Sequence, residues 1–171
     1  MFDKLIDVAL SFAETFRFFT VIDEFERGVV LRAGKFSREI GPGFHWLIPF
    51  NIERAFTDNV VPRTQNLGAQ SLTTKDGKNV VVSGIVTAKI RDIKKALLEV
   101  EGVDHALIDS CYAGIASLVS ASTWDEIRSE EFSDKLTAAC RKQAFRYGVE
   151  ITRVQLSDVA LSRALRLFMN Q

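Results

Sequence analysis

The sequence predicts an α+β fold, and three observations carry that prediction. Alternating β-prone runs and turn signals dominate from Thr20 to Arg91. From Ile93 to Tyr147 apolar residues recur at helical spacing instead. One more strand-like run, "VEITRVQLSDVAL", then follows Gly148. Strands gathered ahead of helices, rather than alternating with them, mark α+β. At 171 residues, 47% hydrophobic and 26% charged, the chain suits one domain or two small lobes able to bury a core.

"MFDKLIDVALSFAETFRFF" opens the chain. Phe2, Leu5, Ile6, Ala9, Phe12, Ala13 and Phe16 fall on one stripe at helical spacing, with Asp3, Lys4, Asp7, Ser11, Glu14 and Arg17 mostly off it. Five charges within nineteen residues exclude a membrane-spanning helix. The absence of a basic start, an unbroken apolar run and a small-residue cleavage site excludes a signal peptide. An amphipathic helix remains, lying on a membrane surface or docked on protein. Its polar face is poor in Lys and Arg, so lipid binding here rests on the phenylalanines. Five of the chain's thirteen phenylalanines fall in this segment.

"TVIDEFERGVVLRAGKF" reads as a hairpin, with strands near Phe19 to Asp23 and Val29 to Arg32 about a turn at Phe25 to Gly28. A second turn follows at Ala33-Gly34-Lys35. Gly41-Pro42-Gly43 forces a turn, because Pro42 has no amide donor and glycine flanks it on both sides. "FHWLIPF" leaves that turn as a short apolar run. It is read first as a core strand, though tryptophan, apolar with one polar N–H, also suits an interface. A strand from about Ile52 to Val61 precedes Pro62. Asp76-Gly77 then sits between β-prone runs as a hairpin turn. Beyond it Val80, Val82, Val86, Ala88 and Ile90 share one face, broken by Gly84, which predicts a bulge or close packing against a helix.

Asp92 caps "IKKALLEVE", which Gly102 ends. "VDHALIDSCYAGIASLVSA" is a second helix. Thr123 and Glu126 form a capping box for a short turn, and Ser129 or Ser133 starts a long helix closed by Gly148. In the following strand Val149 and Ile151 share a face, and Val154 and Leu156 share one after a register change. A last helix begins near Ser162.

The composition narrows function. Twenty-two basic and twenty-two acidic residues give zero formal net charge, which argues against a nucleic-acid partner. Cys111 and Cys140 match no zinc or CxxC spacing and read as buried thiols. With two histidines, His45 and His105, no metal set is expected. On a helix His105 faces Asp109, while Cys111 points away from both and no oxyanion motif accompanies them. Lys75-Asp76-Gly77 is a turn rather than a phosphate loop. No catalytic residue and no cofactor are expected.

"EFERGVVLRAGKF", "GPGFHWLIPF", "LTTKDG", "VSGIVTAKI" and "YGVEITRVQLSDVAL" occur in an order and spacing that resembles the SPFH family (band 7, prohibitin homology), nearest to stomatin and the slipins. The resemblance covers about residues 20 to 168. It implies a β-rich first lobe (20–91), an α/β second lobe (92–161) and the start of a C-terminal helix (162–171), behind the amphipathic segment 1–19. It also implies no catalysis. Family members assemble side by side on a membrane with the first lobe nearest the bilayer, scaffold lipid, and regulate neighbouring channels or membrane proteases.

Two departures from the family pattern qualify this. Residues 1–19 are charged and lack cysteine, so palmitate anchoring there is not expected. Most members also extend the last helix into a coiled coil, whereas this sequence ends at Gln171, which weakens the expectation of large stable rings.

The expected function is a non-enzymatic, self-assembling scaffold, peripheral on the cytoplasmic side of a membrane. Contact with lipid or a neighbouring subunit falls to Phe2, Leu5, Ile6, Phe12, Phe16, Phe19, Phe44, Trp46 and Leu47. Contact between copies falls to Leu161, Leu165 and Phe168. The alternative is a soluble cytoplasmic ring or cage with the N-terminal helix packed between subunits.

Overall fold

The computed structural model describes residues 18–162. The first stripe of phenylalanines and the segment carrying Leu165 and Phe168 lie outside them. Eight strands and four α-helices follow in the order β1 (Phe19–Ile22), β2 (Glu26–Arg32), β3 (Lys35–Ile40), β4 (Gly43–Trp46), β5 (Glu53–Asn59), β6 (Arg63–Thr73), β7 (Asn79–Ile90), α1 (Ile93–Leu98), α2 (Val103–Ala121), α3 (Trp124–Ile127), α4 (Glu130–Ala144) and β8 (Val149–Leu161). The fold class is α+β, as predicted.

Two compact units divide the chain: residues up to Val61 together with Ile90–Glu101, and Pro62–Lys89 together with the chain from Gly102 on. The sequence-based boundary near residue 91 placed β6 and β7 in the first lobe. Strand pairing places them in the second, because β7 lies between β6 and β8 in one sheet.

In the first unit β2 is central to an antiparallel sheet of order β3-β2-β5. The β2–β3 turn puts Ala33 and Gly34 at positive φ, 48° and 80°, the left-handed pair that matches the twist of a tight hairpin. The hairpin expected between β1 and β2 does not form. β1 instead pairs antiparallel with β4, Phe19 opposite Trp46 and Val21 opposite Phe44. This pairing lets Ile22 and Leu47 close over Val30 and Ile40, a core that a β1–β2 hairpin leaves open. Ile93 and Ala96 are the buried residues of α1, whose Asp92 cap accepts from the Lys95 amide at 3.0 Å.

The second unit is a three-stranded sheet, β6-β7-β8, with helices. Val80, Val82, Val86 and Ala88 of β7 are buried, alongside Leu107, Cys111, Ile115 and Val119 of α2 and Leu136 and Cys140 of α4. The predicted irregularity at Gly84 lies on the opposite strand. β6 carries an extra residue between Leu67 and Gln70, and its freed Gly68 amide donates to the Tyr112 hydroxyl at 2.7 Å. The close neighbour of Gly84 is a strand rather than a helix: a Cβ there would lie 2.6 Å from the Gln155 carbonyl oxygen of β8. Ser129, not Ser133, stands at the N-cap position of α4, with its hydroxyl donating to the Glu126 carbonyl at 2.7 Å. A single 3₁₀ turn (Phe145–Tyr147) and Gly148 at φ 73° then lead into β8.

A candidate membrane-contact face

β1 and β4 form a two-stranded ribbon with unlike faces. Side chains alternate along a strand, so Ile22 and Leu47 point to the core while Phe19, Val21, Phe44 and Trp46 share the other face. That outer face is exposed: Phe19 at 52%, Phe44 at 52% and Trp46 at 69%. Phe19 stacks on Phe44 with ring centroids 5.1 Å apart, and Trp46 meets the Phe44 ring edge-on at 5.2 Å. These contacts join the rings into one contiguous apolar plate. "GPGFHWLIPF" is therefore mainly surface, which corrects its reading as a core strand.

Of the expected contact residues in β4 and the residue after it, Leu47 faces inward, 9% exposed in the core with Ile22, Val30 and Ile40. Its inclusion among the contact residues is corrected on that ground. His45 lies on the inner side of the ribbon, and its Nε2 donates to the Gly41 carbonyl at 2.7 Å, bracing the turn before β4.

The chain beyond β4 extends the apolar surface. Ile48, Phe50 and Ile52 are all exposed, Phe50 at 59%. Phe50 and Asn51 both take positive φ, 62° and 56°. An aromatic residue is rare in that region, so the turn holds Phe50 outward at a cost in backbone strain. The Ala33 amide donates to the Ile52 carbonyl at 2.7 Å, joining this turn to the tip of the β2–β3 hairpin.

Beneath the turn lies a site the sequence reading missed. The Glu53 carboxylate is only 1% exposed and receives Arg32 Nε and Nη2 at 3.0 and 2.9 Å. Arg38 Nη1 and Nη2 donate to it at 2.8 and 3.2 Å, and the Ile48 amide at 3.1 Å. Arg38 Nη2 also donates to the Trp46 carbonyl at 2.9 Å. Arg38 above all, then Arg32 and the Ile48 amide, hold the Glu53 pKa at about 2, against the opposing effect of burial. One ion cluster thus ties the end of β4 and the 48–52 turn to the main sheet. No spacing signal marks it, since Arg32, Arg38 and Glu53 come from three strands that only the folded register brings together.

The remaining sequence candidates fall elsewhere. Leu161, half exposed, ends β8, and the following Ser162 amide donates to the Asn79 carbonyl at 2.8 Å. His105 and Asp109 are exposed on α2 while Cys111 is fully buried, so no Cys-His pair assembles. The adjacent Cys140 thiol, with burial, pushes Cys111 well above the ordinary thiol range. Asp76 accepts from Thr74 Oγ1 at 2.6 Å and from the Trp124 amide at 3.3 Å, so the Lys75–Gly77 turn docks on α3. Among the described residues no three His, Cys, Asp or Glu side chains group as a metal site, and no helix is long and apolar enough to cross a membrane.

Comparison with known proteins agrees with this architecture. Residues 20–171 match the SPFH domain / Band 7 family. An uncharacterized protein of Archaeoglobus fulgidus is 28% identical over 87% of this chain and 60% of its own length. A stomatin homolog of Pyrococcus horikoshii is 26% identical over 87% of this chain and 56% of its own. Protein HflK of Vibrio cholerae is 36% identical over 64% of this chain and 27% of its own. The chain thus spans little more than half the length of the archaeal stomatin homolog.

Proposed function

Given that this chain belongs to the SPFH domain / Band 7 family, we propose that it is a non-enzymatic, self-assembling scaffold that lies on the cytoplasmic side of a membrane. Its work is to organise lipid or a neighbouring membrane protein, such as a channel or protease. The observation that carries this reading is the exposed plate of Phe19, Phe44 and Trp46, continued by Phe50. Aromatic groups held outside a core lower their free energy by leaving water, at about 25 cal/mol per Å² buried. Trp46 suits the lipid–water boundary, where its ring can be buried while its N–H stays hydrated.

Flotation with phospholipid vesicles tests this, comparing the intact chain with a copy lacking residues 1–17 and with a Phe44→Ser/Trp46→Ser variant. The truncation stops before Phe18, whose carbonyl accepts the Leu47 amide at 2.7 Å, so β1 is kept whole. Loss of flotation in the double variant, with unchanged folding by circular dichroism, is the expected result. If only the truncated chain sinks, the contact belongs to the N-terminal phenylalanines. If the intact chain does not float, the membrane reading fails and a soluble assembly replaces it.

A further inference from the structure

The first unit carries its charge unevenly along the β3-β2-β5 sheet. At one end, β1 leads to β2 through Asp23 and Glu24, Glu26 opens β2, and Asp58 of β5 lies opposite Arg27. At the other end stand Arg32, Lys35, Arg38 and Arg54, with Glu53 as the single carboxylate among residues 31–38 and 48–54. Register places them together: Arg32 is opposite both Lys35 and Glu53, and Leu31 is opposite Arg54. β2 has seven residues, so the two ends lie roughly 20 Å apart.

Glu53 does not cancel the basic end. Its one charge is shared between two guanidiniums, and the cluster keeps a net positive charge. Lys35 and Arg54 add to it from exposed positions. Several exposed apolar groups lie at this same end, while Phe25 and Val61 are exposed at the acidic one. Phe36 of β3 lies opposite Leu31. Ile48, Phe50 and Ile52 form the turn bonded to the hairpin tip, and Trp46 is held by Arg38 through its carbonyl. Lys94 of α1 places its ammonium 4.6 Å from the centre of the Phe36 ring. Aromatic groups beside cations, with Asp23, Glu24, Glu26 and Asp58 toward the far end, complement one kind of surface: a bilayer whose headgroups carry a net negative charge, which zwitterionic headgroups lack.

We infer that the Arg32–Lys35–Arg54 end of the first unit is the membrane-facing tip and that it selects anionic phospholipid. The inference rests on the membrane reading above and adds to it a lipid class and an orientation. The aromatic residues supply affinity that any bilayer satisfies. The cations supply the preference, because they stand at the tip that meets the headgroups.

The test uses the full chain in flotation with vesicles of phosphatidylcholine alone and of phosphatidylcholine mixed with phosphatidylglycerol, at low and at physiological salt. Binding should be stronger on the mixed vesicles and should weaken with salt. Lys35→Gln and Arg54→Gln lie outside the Glu53 cluster and leave it intact. Each should lower binding to mixed vesicles about fivefold while leaving binding to neutral vesicles unchanged. The control Asp23→Asn/Glu24→Gln, at the far end, should change neither.

Equal flotation on the two vesicles, or a Lys35→Gln/Arg54→Gln variant that keeps the full preference, overturns the inference and leaves the membrane reading standing. A preference equally sensitive to Asp23 and Glu24 shows that net charge rather than the tip is read, and overturns it too. Flotation on neither membrane instead removes the membrane reading itself.

Discussion

Glu53 is the residue on which the first unit's geometry turns. Its carboxylate is buried, so its charge is tolerable only because two guanidiniums and the Ile48 amide surround it. The linkage follows from the sign of the shift. A carboxyl held near 2 when folded but ordinary when unfolded stabilises the fold fully above about 4.5, and that stability is lost as the pH falls toward 2. Because Arg32 and Arg38 both reach water, screening reduces the contribution to about 2 kcal/mol. Denaturant unfolding of Glu53→Gln should therefore show a loss of about 2 kcal/mol at neutral pH, and a gap that narrows near pH 2.5 as the wild type protonates. A gap independent of pH would mean that shape, not charge, is what Gln cannot replace. This residue was not legible in the sequence: a glutamate beginning an alternating strand looks like any solvated one, and its partners are 21 and 15 residues away.

At the scale of elements, local chemistry was readable and long-range pairing was not. Asp76-Gly77, the Asp92 cap and the Thr123/Glu126 capping box are each written within a few residues, and each appears where expected. The partner of β1 was misread because the nearest strand in sequence, β2, is central to another sheet, and only the Ile22–Leu47 core favours β4. For β4 itself, alternation shows that Phe44 and Trp46 share a face that Leu47 does not. It cannot say which face is inward; that depends on the sheet behind it.

Gly84 gives a test at this scale. The sequence marked it as a break, and the structure supplies the cause, a β8 backbone too close for any Cβ. Gly84→Ala must push β7 and β8 apart beside the bulge of β6. It should cost about 2 kcal/mol or more, read as a lower denaturant midpoint. An unchanged midpoint would show that the strands yield without penalty.

For the whole molecule, membrane contact and assembly should reside in different units. The aromatic plate and the basic tip belong to the first. Leu161, exposed at the end of β8, belongs to the second and leads directly into the segment that carries Leu165 and Phe168. If the plate meets lipid, Trp46→Ser lowers flotation and leaves the assembled mass in solution unchanged. If the end of β8 meets a neighbouring copy, Leu161→Glu lowers that mass, and its flotation falls only as far as lost multivalency requires. The soluble ring predicts the reverse at Trp46, since an apolar plate packed between subunits loses mass when it is made polar. Light scattering on the two variants, read beside their flotation, separates these accounts. A mass that falls with Trp46→Ser and holds with Leu161→Glu would move the subunit interface onto β1 and β4, and the aromatic face would then belong to a neighbouring copy rather than to lipid.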